Sequence, residues 1–147
     1  GFGFKGFIDR LDAFSPDEVR VVDYKTGRVL DDDIFIDDGN AEAIAQKIFT
    51  PDVKDRPKIA LQFFIYDLLV KDRYEVKGRK LYNCVYSTSR LFGELPEAVP
   101  LNMTFFDAVS GNLSNLLDEM CDPEVGFRRT EDEHVCGYCD FKTICGR

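Results

Sequence analysis

The chain has 147 residues, of which 44% are hydrophobic and thirteen are phenylalanine, enough for one domain with a real core. No apolar run approaches membrane-spanning length and no signal-peptide pattern is visible. A net charge of −8 speaks at face value against nucleic-acid binding, and five cysteines, an odd number, argue against a disulfide framework and for a reducing, cytoplasmic compartment.

The chain opens on Gly1, almost directly inside a strand, as a piece of a longer polypeptide would. Residues 5–12, Lys5-Gly6-Phe7-Ile8-Asp9-Arg10-Leu11-Asp12, read as that strand, and Ser15-Pro16-Asp17 reads as a turn. The apolar run Val19-Arg20-Val21-Val22 then leads into Asp23-Tyr24-Lys25, which completes a hairpin. Strand alternation projects Asp23 and Lys25 from one face and Tyr24 from the other. If the turn centres on Pro16, facing residues have numbers that sum to 32, so Asp9 lies opposite Asp23. Phe7, Leu11 and Val21 share that face, which predicts that it is partly buried. Two carboxylates facing each other there must share a proton or bind a cation. A divalent metal accounts for the arrangement, with Lys25 near enough to assist. A slip of one residue would send the aspartates to opposite faces.

Asp31-Asp32-Asp33 and Asp37-Asp38 form an acidic stretch, expected to be a solvated loop. A short helix is predicted over 40–49, with Ala41, Ala43, Ile44, Ala45 and Ile48 on its apolar side and Pro51 ending it. Pro57 opens a longer helix to about Val70 that is apolar on nearly every side and should be heavily buried. Gln62 and Tyr66 are one turn apart on it and share a face. They are either ordinary helix side chains or groups that lean over the carboxylate hairpin. Lys71, Arg73, Lys77, Arg79 and Lys80 form a basic stretch, read as a solvated surface ahead of a phosphate track.

Gly78 precedes an alternating strand at 80–87, and a further strand is predicted at 90–95, closed by Pro96 and Pro100. Thr104 is the predicted N-cap of a helix over 105–120, with Asp107 completing a weak capping box. The tail carries Cys136, Cys139 and Cys145, three thiols within ten residues, a density that suits a metal or an iron–sulfur cluster. Cys121, Cys84 or His134 could complete a zinc site instead, and idle thiols at a frayed terminus are the plainer alternative.

Gly6-Phe7-Ile8-Asp9, then Asp23-Tyr24-Lys25-Thr26-Gly27, then Gln62 and Tyr66 four residues apart resemble the core motifs of the PD-(D/E)XK nuclease superfamily, its RecB/AddB-like exonuclease group in particular. The resemblance runs in order over most of the chain. It implies an α/β, restriction-endonuclease-like fold, a mixed sheet flanked by helices. It also implies one nuclease-type domain over 1–147, truncated at its N-terminus, with a cysteine-rich tail at 122–147. Asp9 and Asp23 become metal ligands together with the backbone carbonyl of Tyr24, Lys25 the catalytic lysine, and Gln62 and Tyr66 residues of the RecB-type helix. The family also places an acidic or histidine residue on a helix before the first strand, and no such helix precedes residue 5 here. The tail resembles the C-terminal part of a [4Fe–4S] motif, with Cys136, Cys139 and Cys145 as ligands and a fourth cysteine outside the chain.

The implied activity is cleavage of DNA phosphodiesters. All-oxygen ligation favours Mg²⁺ or Mn²⁺ over zinc, and Lys25 would orient the attacking water or neutralise charge building on phosphorus. DNA is the implied partner, along with a fused helicase or a partner subunit, in a recombination or repair setting. The competing expectation is a non-catalytic module of the same fold that binds DNA or scaffolds. A small zinc-ribbon interaction protein would make the tail the functional centre, but it leaves the hairpin unexplained.

Overall fold

The computed structural model describes residues 2–27, 29–51, 53, 55–88, 97–126 and 128–146, with Asp32 described by its backbone alone. Strands β1 (Arg10–Ser15) and β2 (Glu18–Lys25) pair as an antiparallel hairpin. A 3₁₀ turn (Asp31–Asp33), α1 (Ala41–Phe49) and α2 (Lys58–Val70) follow and carry the chain over to β3 (Lys80–Ser87). β3 runs parallel to β2 from Glu18 opposite Lys80 to Lys25 opposite Ser87. A parallel pair needs a crossover of a dozen residues or more, and the helices supply it. β4 (Val99–Pro100) adds an antiparallel edge, and α3 (Met103–Cys121) and α4 (Glu133–Gly137) complete the chain. The strand order is β1-β2-β3-β4, a mixed sheet flanked by helices.

The hairpin register follows the sum of 32 from Arg10 opposite Val22 to Ala13 opposite Val19, and a bulge then shifts Ser15 onto Glu18. The first strand nevertheless begins at Arg10 and not at Lys5. The preceding segment turns away toward α2, where Ile8 packs on the core and Gly6 lies against Tyr66 and Leu69. Phe7 consequently points to solvent, 94% exposed, and Leu11 is exposed too, so the buried face predicted for them is found only at Val21.

Odd-numbered residues of β2 and β3 face α2. Val19, Val21, Leu81 and Val85 pack there against Ile59, Phe63, Tyr66 and Val70. The opposite side of α2 meets α1 and α3, where Ala60 and Phe64 pack with Ile44, Ile48, Phe105, Phe106 and Val109. α2 is thus sandwiched between sheet and helices, which is why apolar residues surround it on every side. Phe64, 1% exposed, is its most deeply placed large side chain.

The acidic stretch has specific work within the fold. Pro57 gives α2 no side-chain cap, and Asp33, buried, accepts the Ile59 N–H at 2.9 Å in its place. Asp37 accepts from the backbone of Gly39 and Asn40 ahead of α1, and Asp38 accepts from Asn102 and Thr104 at the start of α3. Only part of that stretch is therefore a solvated loop. The cap of α3 is Asn102, whose side-chain oxygen accepts from Phe105 N at 2.8 Å, and the predicted cap Thr104 binds Asp38 instead.

Thr50 ends α1, its hydroxyl donating to the Gln46 carbonyl, just before Pro51 forbids continuation. Gly78, with φ of +84°, makes the turn into β3 in a conformation that other residues rarely adopt. Pro100 lies in the edge strand β4, where its missing donor is tolerated. The strand predicted at 90–95 lies outside the described residues. Among the described residues no helix is long and apolar enough to cross a membrane.

Candidate active site at the end of β2

Alternation along β2 places Asp23 and Lys25 on the face that meets α2, and helical spacing places Gln62 and Tyr66 on the face of α2 that meets β2. Packing of the two elements closes these residues into one network. Asp23 is 2% exposed, and its Oδ1 accepts from Gln62 Nε2 at 3.0 Å. Gln62 Oε1 accepts from Lys25 Nζ at 2.7 Å, and the same Nζ lies 2.7 Å from Asp23 Oδ2. Gln62 Nε2 is also within hydrogen-bonding reach of the Tyr66 hydroxyl. The sequence-predicted lysine, glutamine, tyrosine and second aspartate are all gathered here.

Asp9 approaches from the other side of the strand end. Its carboxylate accepts the backbone N–H of Tyr24 at 3.0 Å, and the side chain is exposed. The hairpin register, continued one step beyond Arg10, puts Asp9 opposite Asp23. The bend at Asp9 replaces the next ladder bond by a side-chain bond, which fastens the β2 backbone between the aspartate and the lysine. Tyr24 itself projects to the opposite face, half-exposed, and its ring meets Tyr86 at 5.6 Å between centroids.

The donor set suits a hard divalent cation. Among the described residues Asp23 Oδ2 is buried with no aligned hydrogen-bond donor, although it lies close to Lys25 Nζ; the short distance is a charge–charge contact without hydrogen-bond geometry. A buried carboxylate oxygen left in that state is available as a ligand, whereas the Asp9 carboxylate is exposed and bonded to Tyr24 N. Asp23 would be the buried ligand of a metal here, with Asp9 and the Tyr24 carbonyl the further oxygens at this strand end. Among the described residues no three His, Cys, Asp or Glu side chains are gathered into a metal-binding group.

That last observation bears on the tail. Cys136 is buried in α4, Cys139 half-buried and Cys145 exposed. Cys84 lies in β3 opposite Val22, Cys121 closes α3, and His134 in α4 is exposed. None of these cysteines is in a disulfide. Among the described residues these side chains do not gather around an iron–sulfur or zinc centre.

A cleft of about 1400 Å³ opens beside Lys25. Arg56, Lys58, Arg128 and Arg129 line it with Lys25, and Asp33, Asp55, Glu119, Glu131 and Asp132 line it too, so among the described residues cations and carboxylates are balanced in its wall. The sequence reading missed the cations other than Lys25, because they are scattered singly or in one pair and form no run. The basic stretch it did mark is a surface turn, where Lys71 pairs with Asp72 and Arg73 with Glu75.

Elsewhere on α2, Asp67 is 2% exposed and accepts from Asn83 Nδ2 at 2.8 Å. Burial raises its pKa to about 7, against the lowering effect of the Asn83 bond. On the hairpin, Asp12 accepts from Arg20 in a two-point contact at 3.1 and 3.0 Å and pairs with Arg10 as well. The Arg20 bond holds the Asp12 carboxyl below its ordinary pKa.

No curated protein and no solved structure matches the chain. The family model of the PD-(D/E)XK nuclease superfamily matches residues 1–146, a span that contains Asp9, Asp23, Lys25, Gln62 and Tyr66. With a mixed four-stranded sheet and an Asp-x-Lys strand end packed on a helix, the chain belongs to the PD-(D/E)XK nuclease superfamily.

Proposed function

We propose that this chain is a divalent-metal-dependent nuclease that hydrolyses DNA phosphodiesters, serving as the nuclease part of a larger helicase–nuclease or related recombination and repair protein. The observation that carries the reading is the closed network of Asp23, Lys25, Gln62 and Tyr66, with one Asp23 oxygen left without an aligned donor among the described residues. A purely structural ion pair would satisfy both carboxylate oxygens.

Bound Mg²⁺ or Mn²⁺ would supply positive charge to the scissile phosphate. The chain's own residues do the rest. Lys25 carries three protons, of which Gln62 takes one; the remainder can serve a phosphate oxygen or the attacking water. Gln62 fixes the lysine and the aspartate relative to each other, and Tyr66 holds the Gln62 amide in register. Asp9 fastens the strand end through Tyr24 N, so the ligand oxygens are held on rigid backbone.

Cleavage of end-labelled linear DNA with Mn²⁺ tests the proposal. Activity that chelation removes and Asp23→Asn abolishes is the expected result, with calorimetric Mn²⁺ binding lost in the same variant. DNA binding without cleavage by the intact protein, under every divalent metal tried, would establish the non-catalytic alternative.

A further inference from the structure

The sheet face turned away from α2 bears a second constellation at the same strand end. Tyr24 and Tyr86 are paired neighbours on the parallel strands β2 and β3, with rings 5.6 Å apart and tilted by 40°. Tyr24 is 51% exposed and Tyr86 half-buried. Arg10, on the adjoining strand, donates to the Tyr24 hydroxyl at 3.3 Å and keeps nearly half of its side chain in solvent. Val22 and Cys84, fully buried, form the floor next to the rings and belong to neither apolar cluster of the core. Arg10 and Arg20 share the carboxylate of Asp12, while Glu18 accepts from Tyr82 on the same face and Asp9 from Tyr24 N, so charges of both signs meet at this corner.

We propose that Tyr24 and Tyr86, backed by Arg10, form a stacking subsite for an unpaired nucleobase of the strand whose phosphate is held at Asp23 and Lys25. The inference rests on the nuclease reading and names the substrate form: single-stranded or frayed nucleic acid. Three features point to this occupant. Two tyrosine rings beside a guanidinium offer both a π surface and a cation, the combination that holds single strands without regard to sequence. Phe14, 45% exposed, and Tyr82 continue the aromatic row along the same face with Arg20 over the Phe14 ring, so rings and guanidinium groups alternate on it. Tyr24 is the residue between Asp23 and Lys25, so its ring and the catalytic side chains leave opposite faces of one strand end, and a strand that rounds this end meets both. A base inside a duplex is already stacked on both sides and cannot use the site.

The chain has six tyrosines and no tryptophan, so its intrinsic emission reports on tyrosine alone. Titration with oligothymidylate under chelation should quench that emission, while a blunt duplex of equal length should not. Tyr86→Ala should weaken the single-strand affinity by roughly tenfold, Tyr86→Phe should restore it, and Arg10→Gln should weaken it and flatten its salt dependence. In cleavage assays Tyr86→Ala should raise KM for single strands and leave kcat largely unchanged. Thermal melting of both Tyr86 variants separates loss of the ring from loss of the fold.

Equal affinity for single strand and duplex, or an unchanged affinity in a folded Tyr86→Ala protein, would overturn the subsite. Self-association that Tyr86→Ala abolishes would overturn it too, by assigning the surface to a second copy. Asp23-dependent cleavage that persists with KM insensitive to Tyr86 leaves the nuclease reading intact and removes the stacking subsite. Tyr86-dependent strand binding without any cleavage does the reverse.

Discussion

The ammonium of Lys25 lies 2.7 Å from the Asp23 carboxylate, yet the two are not joined by an aligned hydrogen bond; the Lys25 bond goes to Gln62. Asp23 sits almost wholly inside the protein while Lys25 reaches solvent with about a quarter of its side chain. That asymmetry makes the lysine the mobile partner. Lys25→Met keeps the length of the side chain and removes the charge. It should lower kcat for DNA cleavage by on the order of 10²–10³, the usual loss when one preorganised electrostatic donor is removed. Single-turnover rates at saturating Mn²⁺ measure it, with calorimetric Mn²⁺ binding retained because the ligand oxygens remain.

Gln62 acts through its neighbours and is a positioning residue. Gln62→Leu breaks the bonds to Asp23 Oδ1 and Lys25 Nζ together. A fall in kcat with KM largely unchanged is expected, partly rescued in Gln62→Asn, which keeps the amide on a shorter stem. An equal rise in KM would instead point to a role in holding the substrate.

Asp67 makes stability depend on pH. Its folded pKa, raised by burial to about 7, stands above the ordinary carboxylate value of 3.8. The folded chain therefore binds more protons than the unfolded one between these values, and stability falls as pH rises through that window. Below about pH 4 the contribution is fully present; above about pH 7 it is lost. The cause is burial: Asp67 is 2% exposed, and the bond from Asn83 offsets only part of the cost of keeping its charge out of water. Asp67→Asn should flatten the profile and stabilise the protein at pH 8 relative to the parent, by up to on the order of 4 kcal/mol. Denaturant midpoints at pH 5 and pH 8 read the difference.

Asp33 caps a helix that lies 26 residues away in the chain. Asp33→Ala removes the acceptor of the Ile59 N–H and leaves that donor buried, so a loss of about 1–2 kcal/mol is expected. Urea unfolding of Asp33→Ala beside the parent protein measures the loss.

Thiol labelling should follow burial. Cys121 and Cys145 are exposed and should react first with a disulfide reagent in the native protein. Cys84 should react last, because burial both blocks access and pushes its thiol pKa up. Simultaneous labelling of Cys84 and Cys145 would mean that β3 opens to solvent on the time scale of the assay.

What could be read from the residue order was whatever repeats at short range. The alternation of Val19, Val21, Asp23 and Lys25 marks one strand face, and the spacing of Gln62 and Tyr66 marks one helix face. The all-round apolar character of residues 58–70 already implied a helix covered on both sides. The turn at Pro16 set the hairpin register as far as Arg10. These patterns belong to neighbouring residues, whose relative directions are dictated by backbone geometry before any tertiary contact forms.

The packed chain alone decided the rest. Asp33 looked like one of several solvated acids because nothing in its neighbourhood reveals a helix start 26 residues on, lacking a cap of its own. Thr104 had the spacing of a cap, yet its hydroxyl goes to Asp38 and Asn102 caps the helix. Phe7 shared the alternation of a buried face, yet the chain leaves the sheet before Arg10 and turns Gly6 and Ile8 toward α2. A side-chain partner distant in sequence is chosen by which surfaces the folded elements bring together, and no local period records that choice.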